Sequence, residues 1–317
     1  MIDDKAADTR QLFTELIESK ELAIKDVPEA IAITKISPSA VQWQNFINIL
    51  LLWFGSLSLA FGVIFFVAAN WQEVGRMGKF AIVEGALLSA MILHLKFRHK
   101  EVIRQAILLV AILLVGALMA LFGQTYQTGA DPWQLFFNWA LLTTPWVLIS
   151  RFSVIWFIWL GLLNLSISLY YQTFGGYLNI AWVAFAFNTA ALVIWQVSVS
   201  KFSWLNKTWA INFLGFTTCA LALNLFVRGL FNDEPVGLIV WGLWAGVTFY
   251  VYRYRILNLF MLAGWSVSML VAANTLLIKI LPNFLEGASF MLLTIVTIGL
   301  GTYLSVWLKS LVKLGRT

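Results

Sequence analysis

Residues 46–69 read FINILLLWFGSLSLAFGVIFFVAA, a run without a single charged side chain. As a helix rising 1.5 Å per residue it is about 36 Å long, more than the roughly 30 Å of bilayer hydrocarbon. Backbone groups in lipid must bond within their own segment, so the run is expected to be a transmembrane helix. Blocks of the same kind recur at 79–95, 103–123, 134–150, 153–171, 178–198, 209–227, 236–252, 257–278 and 288–308. Taken as one helix, residues 134–171 would reach about 57 Å, so the chain is divided at Arg151. The expected fold is all-α: a polytopic transmembrane bundle of about ten spans over 46–308. It is preceded by an N-terminal cytoplasmic helical element (1–45) and followed by a basic cytoplasmic tail (309–317).

The composition agrees. Of 317 residues, 61% are hydrophobic and 11% charged, and the mean hydropathy is +0.84. Soluble domains carry about 25% charge, so a soluble, disordered, collagen-like or disulfide-stapled chain is excluded. Cys219 is the sole cysteine, and His94 and His99 are the only histidines. A disulfide, a paired-cysteine site and a histidine-rich metal site therefore lack residues. Signatures of nucleotide, hydrolase and metalloprotease chemistry are missing too. No metal, no cofactor and no catalytic residue is expected, and an intramembrane enzyme acting on lipid has no dyad to work with.

Charge patterning sets the topology. With the N-terminus inside, ten spans place only Arg76, Lys79, Arg228 and Lys279 on the outer side, and every other Lys and Arg on the inner side. By the positive-inside tendency both termini are cytoplasmic, and the basic excess speaks for a bilayer rather than a nucleic acid. No secretory leader is evident, because residues 1–45 are polar and net acidic. Within that tail, Leu12, Phe13, Leu16 and Ile17 recur at helical spacing, with a second apolar patch at Ala30, Ile31 and Ile33. Asp26 and Glu29 have capping-box spacing with Pro28 in the first turn, and Ser37-Pro38-Ser39 breaks the chain before Trp43. The tail is either a docking element for a partner or a hairpin folded on the membrane face.

A polar group gathers on the predicted outer side. The first span ends in Asn70-Trp71-Gln72-Glu73, and Glu84 is the only acidic residue inside a span, about 7–8 Å past Lys79 along the helix. The third block runs into Gly123-Gln124-Thr125-Tyr126-Gln127-Thr128-Gly129-Ala130-Asp131-Pro132-Trp133-Gln134, read as a loop with two glycines for unusual backbone angles. The candidate binding residues are Asn70, Glu73, Glu84, Gln124, Tyr126, Gln127, Asp131 and Trp133, lining a cavity that takes a proton or small cation. The alternative is that Glu84 pairs with Arg76 or Lys79, or reaches outer water.

The stretch Gly62-Val63-Ile64-Phe65-Phe66-Val67-Ala68-Ala69-Asn70-Trp71, then Gly116-Ala117, Gly123-Gln124-Thr125-Tyr126, Leu135-Phe136 and Trp139-Ala140-Leu141, resembles the bacterial predicted membrane proteins of the DUF2157 family. The tail element from Leu16 to Ile31 resembles that family's N-terminal segment, and the likeness covers residues 10–145. It implies a multi-span protein of the bacterial inner membrane and supplies no activity.

Elsewhere, Asn138, Asn164, Asn188, Asn212, Asn224 and Asn274 fall one to a span, as interhelical glue or as the lining of a pathway. Gly242 and Gly246 form a GxxxG pair, and Gly116 with Ala120 and Ser56 with Ala60 are similar, for packing within the bundle or for a homodimer face. Pro145 is expected to kink the fourth span. Two functions remain open. The first is a secondary transporter or permease whose halves, 46–171 and 178–308, are inverted repeats. The second is a non-transporting subunit or envelope sensor that binds a membrane-protein partner.

Overall fold

The structure is a computed structural model that describes residues 38–232, 235–281 and 287–314, together with scattered positions between 12 and 30. Ten long helices follow one another: α1 (Ala40–Ala69), α2 (Arg76–Lys96), α3 (Glu101–Tyr126), α4 (Pro132–Ser150), α5 (Ser153–Phe174), α6 (Ile180–Val199), α7 (Thr208–Phe231), α8 (Val236–Tyr250), α9 (Leu259–Ile280) and α10 (Gly287–Leu314). The fold is the expected all-α polytopic bundle, each helix lying within a few residues of its apolar block.

Nine of these helices, α8 being extended to Arg255, are long and apolar enough to cross a membrane. The exception is α4. Its 19 residues still make a rod of about 28 Å, but Gln134, Asn138, Thr143, Thr144 and Pro145 dilute its apolar content.

Several ends differ from expectation for local reasons. The first helix starts at Ala40 because Ser39 forms a capping box with Gln42, the Gln42 N–H donating to Ser39 Oγ at 3.3 Å and the Ser39 N–H to Gln42 Oε1 at 2.8 Å. The third runs to Tyr126, so Gln124, Thr125 and Tyr126 lie on its last turn rather than in a loop. Gly123 is helical with it, and the positive φ values of the loop fall to Gln127 (44°) and Gly129 (63°). Arg151, in the left-handed region at φ 50°, divides α4 from α5 as expected. Pro145 cannot donate to the Leu141 carbonyl, yet α4 continues through it. The last turn of α8 widens into a π-helical segment, Val251–Arg255. In the tail, a 3-10 turn spans Ile24–Asp26, and Leu12, Thr14, Leu16, Ile17, Val27, Glu29 and Ala30 are helical. Phe13, Pro28, Ile31 and Ile33 lie outside the described residues.

The chain forms two compact units, residues 1–121 and 122–317. In the first, α1, α2 and α3 meet through small and aliphatic side chains. Ala60, fully buried, sits with Val110 and Leu114, and Val67, Val83 and Leu121 form a second cluster with Trp71 and Phe80 at its edge. At 30 residues, α1 is about 45 Å long and overruns the hydrocarbon, which tilt or protrusion absorbs.

In the second unit, neighbouring helices are tied by hydrogen bonds as well as packed. The Trp159 indole N–H donates to the Ala140 carbonyl (3.1 Å) and to Thr144 Oγ1 (3.0 Å), joining α5 to α4. Asn164 on α5 and Asn188 on α6 exchange amide bonds of 3.3 and 2.7 Å, and each also donates to its own helix. Asn258 donates to Asn212 at 3.0 Å beside the α7–α9 contact, and Trp241 reaches Ser268 at 3.0 Å between α8 and α9. Thr297 of α10 donates to Asn274 of α9 at 2.9 Å. Asn164, Asn188, Asn212 and Asn274 are thus interhelical glue, while Asn138 and Asn224 are exposed.

Close approach in this unit comes at glycines outside the sequence pairs. A Cβ on Gly237 of α8 would strike the Leu225 carbonyl of α7, and one on Gly215 of α7 would strike the Met261 side chain of α9. Around Gly242 and Gly246 a Cβ would meet nothing within 4 Å. The expectation that this GxxxG packs within the bundle therefore fails, because α8 turns Trp244 and Ala245 inward instead.

Candidate functional site

The residues singled out for the predicted outer side fall in both units. In residues 1–121, Asn70 ends α1, its side-chain amide donating to the Phe66 carbonyl at 2.8 Å, so its polarity serves the helix terminus. Glu73 is exposed in the turn that follows. Glu84 is exposed on α2, about 12 Å from the start of that helix and so close to its midpoint. It shares no face with Lys79: five residues put them about 140° apart. Lys79, 7% exposed, has instead turned under the α1–α2 corner, its Nζ 3.5 Å from the centre of the Trp71 ring. The indole face supplies negative potential where water is excluded, which accounts for a buried ammonium without a carboxylate. Trp71, read only as part of a motif, is thereby given a physical task.

In residues 122–317, Gln124, Tyr126 and Gln127 are exposed at the end of α3 and in the loop beyond it. The Tyr126 ring packs on Phe122 at 4.8 Å. Asp131 is the N-cap of α4 with Pro132 in the first turn, and its side chain makes no capping bond. Trp133 packs edge-on against Tyr170 of α5 at 5.2 Å, and its carbonyl accepts from Ser166 at 3.1 Å. These contacts join α4 to α5. Among the described residues no three His, Cys, Asp or Glu side chains group as metal ligands.

A larger site lies where sequence reading marked only the division at Arg151. At the junction of α4, α5 and α6, a half-enclosed cavity of 620 Å³ is walled by Trp156, Trp159, Trp195 and Trp204, with Arg151 and Ser198 supplying polar groups. The rings support one another. Trp156 lies 6.0, 6.5 and 6.1 Å from Trp159, Trp195 and Trp204, and Phe157 backs Trp195 at 5.3 Å. Two indoles are fixed by hydrogen bonds, Trp159 to α4 as above and Trp195 to the Leu205 carbonyl at 3.2 Å, which holds the short 3-10 turn Ser203–Leu205 against α6. The buried Trp156 indole N–H has no acceptor among the described residues, a donor held in reserve at the wall.

The tight turn at Arg151 contributes to the cavity's lining. The Ser150 hydroxyl donates to the Val147 carbonyl at 2.9 Å and accepts from the Phe152 N–H at 3.4 Å, and between them Arg151 stands exposed. No lining residue is acidic. Chemically this is an apolar, aromatic chamber with one permanent cation at its edge, within the 300–1,000 Å³ typical of small-molecule sites. A second space, 440 Å³ between α6 and α8, is walled almost wholly by apolar atoms around Phe185, Val193, Leu243 and Val247.

The sequence signals for the chamber were slight: a lone arginine between two spans, Trp156 and Trp159 one helical turn apart, and Trp204 in a short connection. Only the meeting of three helices makes them a site.

Residues 31–156 of the chain match the family described as "Predicted membrane protein (DUF2157)". No curated protein and no solved structure matches the chain.

Proposed function

We propose that this chain, which over residues 31–156 matches the DUF2157 family of predicted membrane proteins, is a permease-like protein that binds and moves a small organic molecule with a largely apolar body. The observation that carries the reading is the 620 Å³ tryptophan-walled cavity between α4, α5 and α6, of which α5 and α6 are long and apolar enough to span a bilayer. Substrate sites of transporters favour such interhelical positions, where apolar walls select the body and few polar groups orient it. On the charge count, the Arg151 end of the chamber lies toward the cytoplasmic face of an inner-membrane protein with both termini inside.

Proton or small-cation coupling is assigned to Glu84, the one acidic side chain set well inside a long helix among the described residues. An ionised group there is costly enough that it is a functional candidate by default.

Uptake and release of the uncharged dye Nile red by proteoliposomes under a pH gradient tests the reading. Wild type should move the dye faster than empty vesicles. Trp156→Leu should bind it less well, and Glu84→Gln should abolish the dependence on the gradient. Normal folding with no dye movement, together with a membrane protein that co-purifies in fixed ratio, would replace transport with the partner-binding reading.

A further inference from the structure

The chamber also specifies what its guest carries besides an apolar body. Arg151 is its only charged lining residue, none of the others is acidic, and the remaining wall is mostly indole, phenyl and alkyl. Indole faces by themselves also attract cations. Here the cationic guanidinium side chain of Arg151 belongs to the same lining and opposes them. Its backbone is pinned in a left-handed turn by the two Ser150 hydrogen bonds, so the cation starts from a fixed point rather than a mobile loop. A guanidinium matches carboxylate and phosphate oxygens with paired N–H donors.

Resting on the reading of the chamber as a binding site, we infer that its guest is an anionic amphiphile: an alkyl or aromatic body among Trp156, Trp159, Trp195 and Trp204, with a carboxylate or phosphate held by Arg151. That anion comes either from the headgroup of a lipid or from a free alkyl acid, and the chemistry recognised is the same.

The test uses the full chain in phosphatidylcholine nanodiscs, with quenching of tryptophan fluorescence by brominated probes. Dibromostearate, at a pH where it is ionised, is compared with its methyl ester, and brominated phosphatidylglycerol with brominated phosphatidylcholine. Arg151→Asn removes the cation with a residue that tolerates left-handed backbone, Arg151→Lys keeps the charge without the fork, and Ala190→Phe fills the chamber from α6.

The expected result is that an anionic probe binds about tenfold tighter than its neutral counterpart to wild type, the scale of one charge-assisted hydrogen bond. The preference falls to about twofold or less in Arg151→Asn and is partly kept in Arg151→Lys. Preference in the stearate pair alone assigns the free acid, and preference in the lipid pair assigns the headgroup; either supports the inference. Equal binding of acid and ester, and of the two lipids, in wild type would overturn the anion while leaving the chamber as a site for neutral guests. Quenching that Ala190→Phe does not reduce for any probe would overturn the chamber itself.

Discussion

The two compact units are held together by different chemistry. Residues 1–121 rely on small and aliphatic contacts, Ala60 against Val110 and Leu114, with one ammonium stacked on an indole. In residues 122–317, hydrogen bonds link α4 to α5, α5 to α6, α8 to α9 and α9 to α10. Lipid offers helices no hydrophobic reason to associate, so close packing and polar bonds must do it. The first unit uses mainly packing and the second both. Polar ties let helices remain associated around a space, and it is in the second unit that the 620 Å³ chamber stands open.

The sharpest way to break this contrast is at Gly237, where α8 touches the backbone of α7. Gly237→Ala drives a methyl into the Leu225 carbonyl, which no rotamer change relieves, and the expected loss is about 1–3 kcal/mol. Thermal unfolding followed by labelling of Cys219, the single thiol, reads it directly, since its Sγ lies 3.5 Å from the Gly264 carbonyl and is released when α7 and α9 part. An unchanged transition would mean that the α7–α8 contact is looser than drawn.

Next in size is the Asn164–Asn188 pair. Asn188→Leu leaves the Asn164 amide without its partner among apolar neighbours and should cost about 1–2 kcal/mol. The double change to leucine should recover most of that loss, because replacing both partners removes the unmet polar group. If the double variant is as weak as the sum of the singles, the amides act separately and the polar-tie account of the second unit fails.

In the first unit the matching probe is Trp71 with Lys79. A double-mutant cycle with Trp71→Leu and Lys79→Met should give a coupling of about 0.5–2 kcal/mol for a partly desolvated cation–π contact. Coupling below about 0.3 kcal/mol would mean that the indole does not hold the Lys79 ammonium and would remove the cation–π contact from that corner.

These probes also mark where sequence reading reached its limit. The ten helices were legible because apolar run length and the bilayer dictate them, and even the division at Arg151 follows from helix length. Four of the six asparagines, Asn164, Asn188, Asn212 and Asn274, act as the glue that sequence offered as one of two roles, because an amide in a span needs a partner. What was not legible is which residues meet. Arg151 served only as punctuation, and the indoles of Trp156, Trp195 and Trp204 come from three separate elements, brought together by helix crossing angles that no local pattern records. The polar stretch predicted to lie outside stood out for the opposite reason: its residues are conspicuous in sequence, yet Asn70 caps α1, Trp133 braces α4 on α5, and Gln124 and Tyr126 finish a helix. Of the chemistry-bearing chamber residues, Arg151 and Trp156 lie within the family match, while Trp159, Trp195 and Trp204 lie beyond it.

The smallest effect is expected at the pair that sequence made most prominent. Gly242 and Gly246 have room for a methyl on every side, so Gly242→Ala and Gly246→Ala should shift unfolding by no more than about 0.5 kcal/mol. Alanine's better helix propensity makes a slight gain the favoured sign. A loss above about 1 kcal/mol would show that something covers this face of α8 in the membrane. Dependence of that loss on protein concentration would identify the cover as a second copy of the chain, because only self-association makes stability follow protomer concentration. The second unit would then owe part of its stability to close packing between copies, and the contrast with the first unit would shrink to its hydrogen bonds.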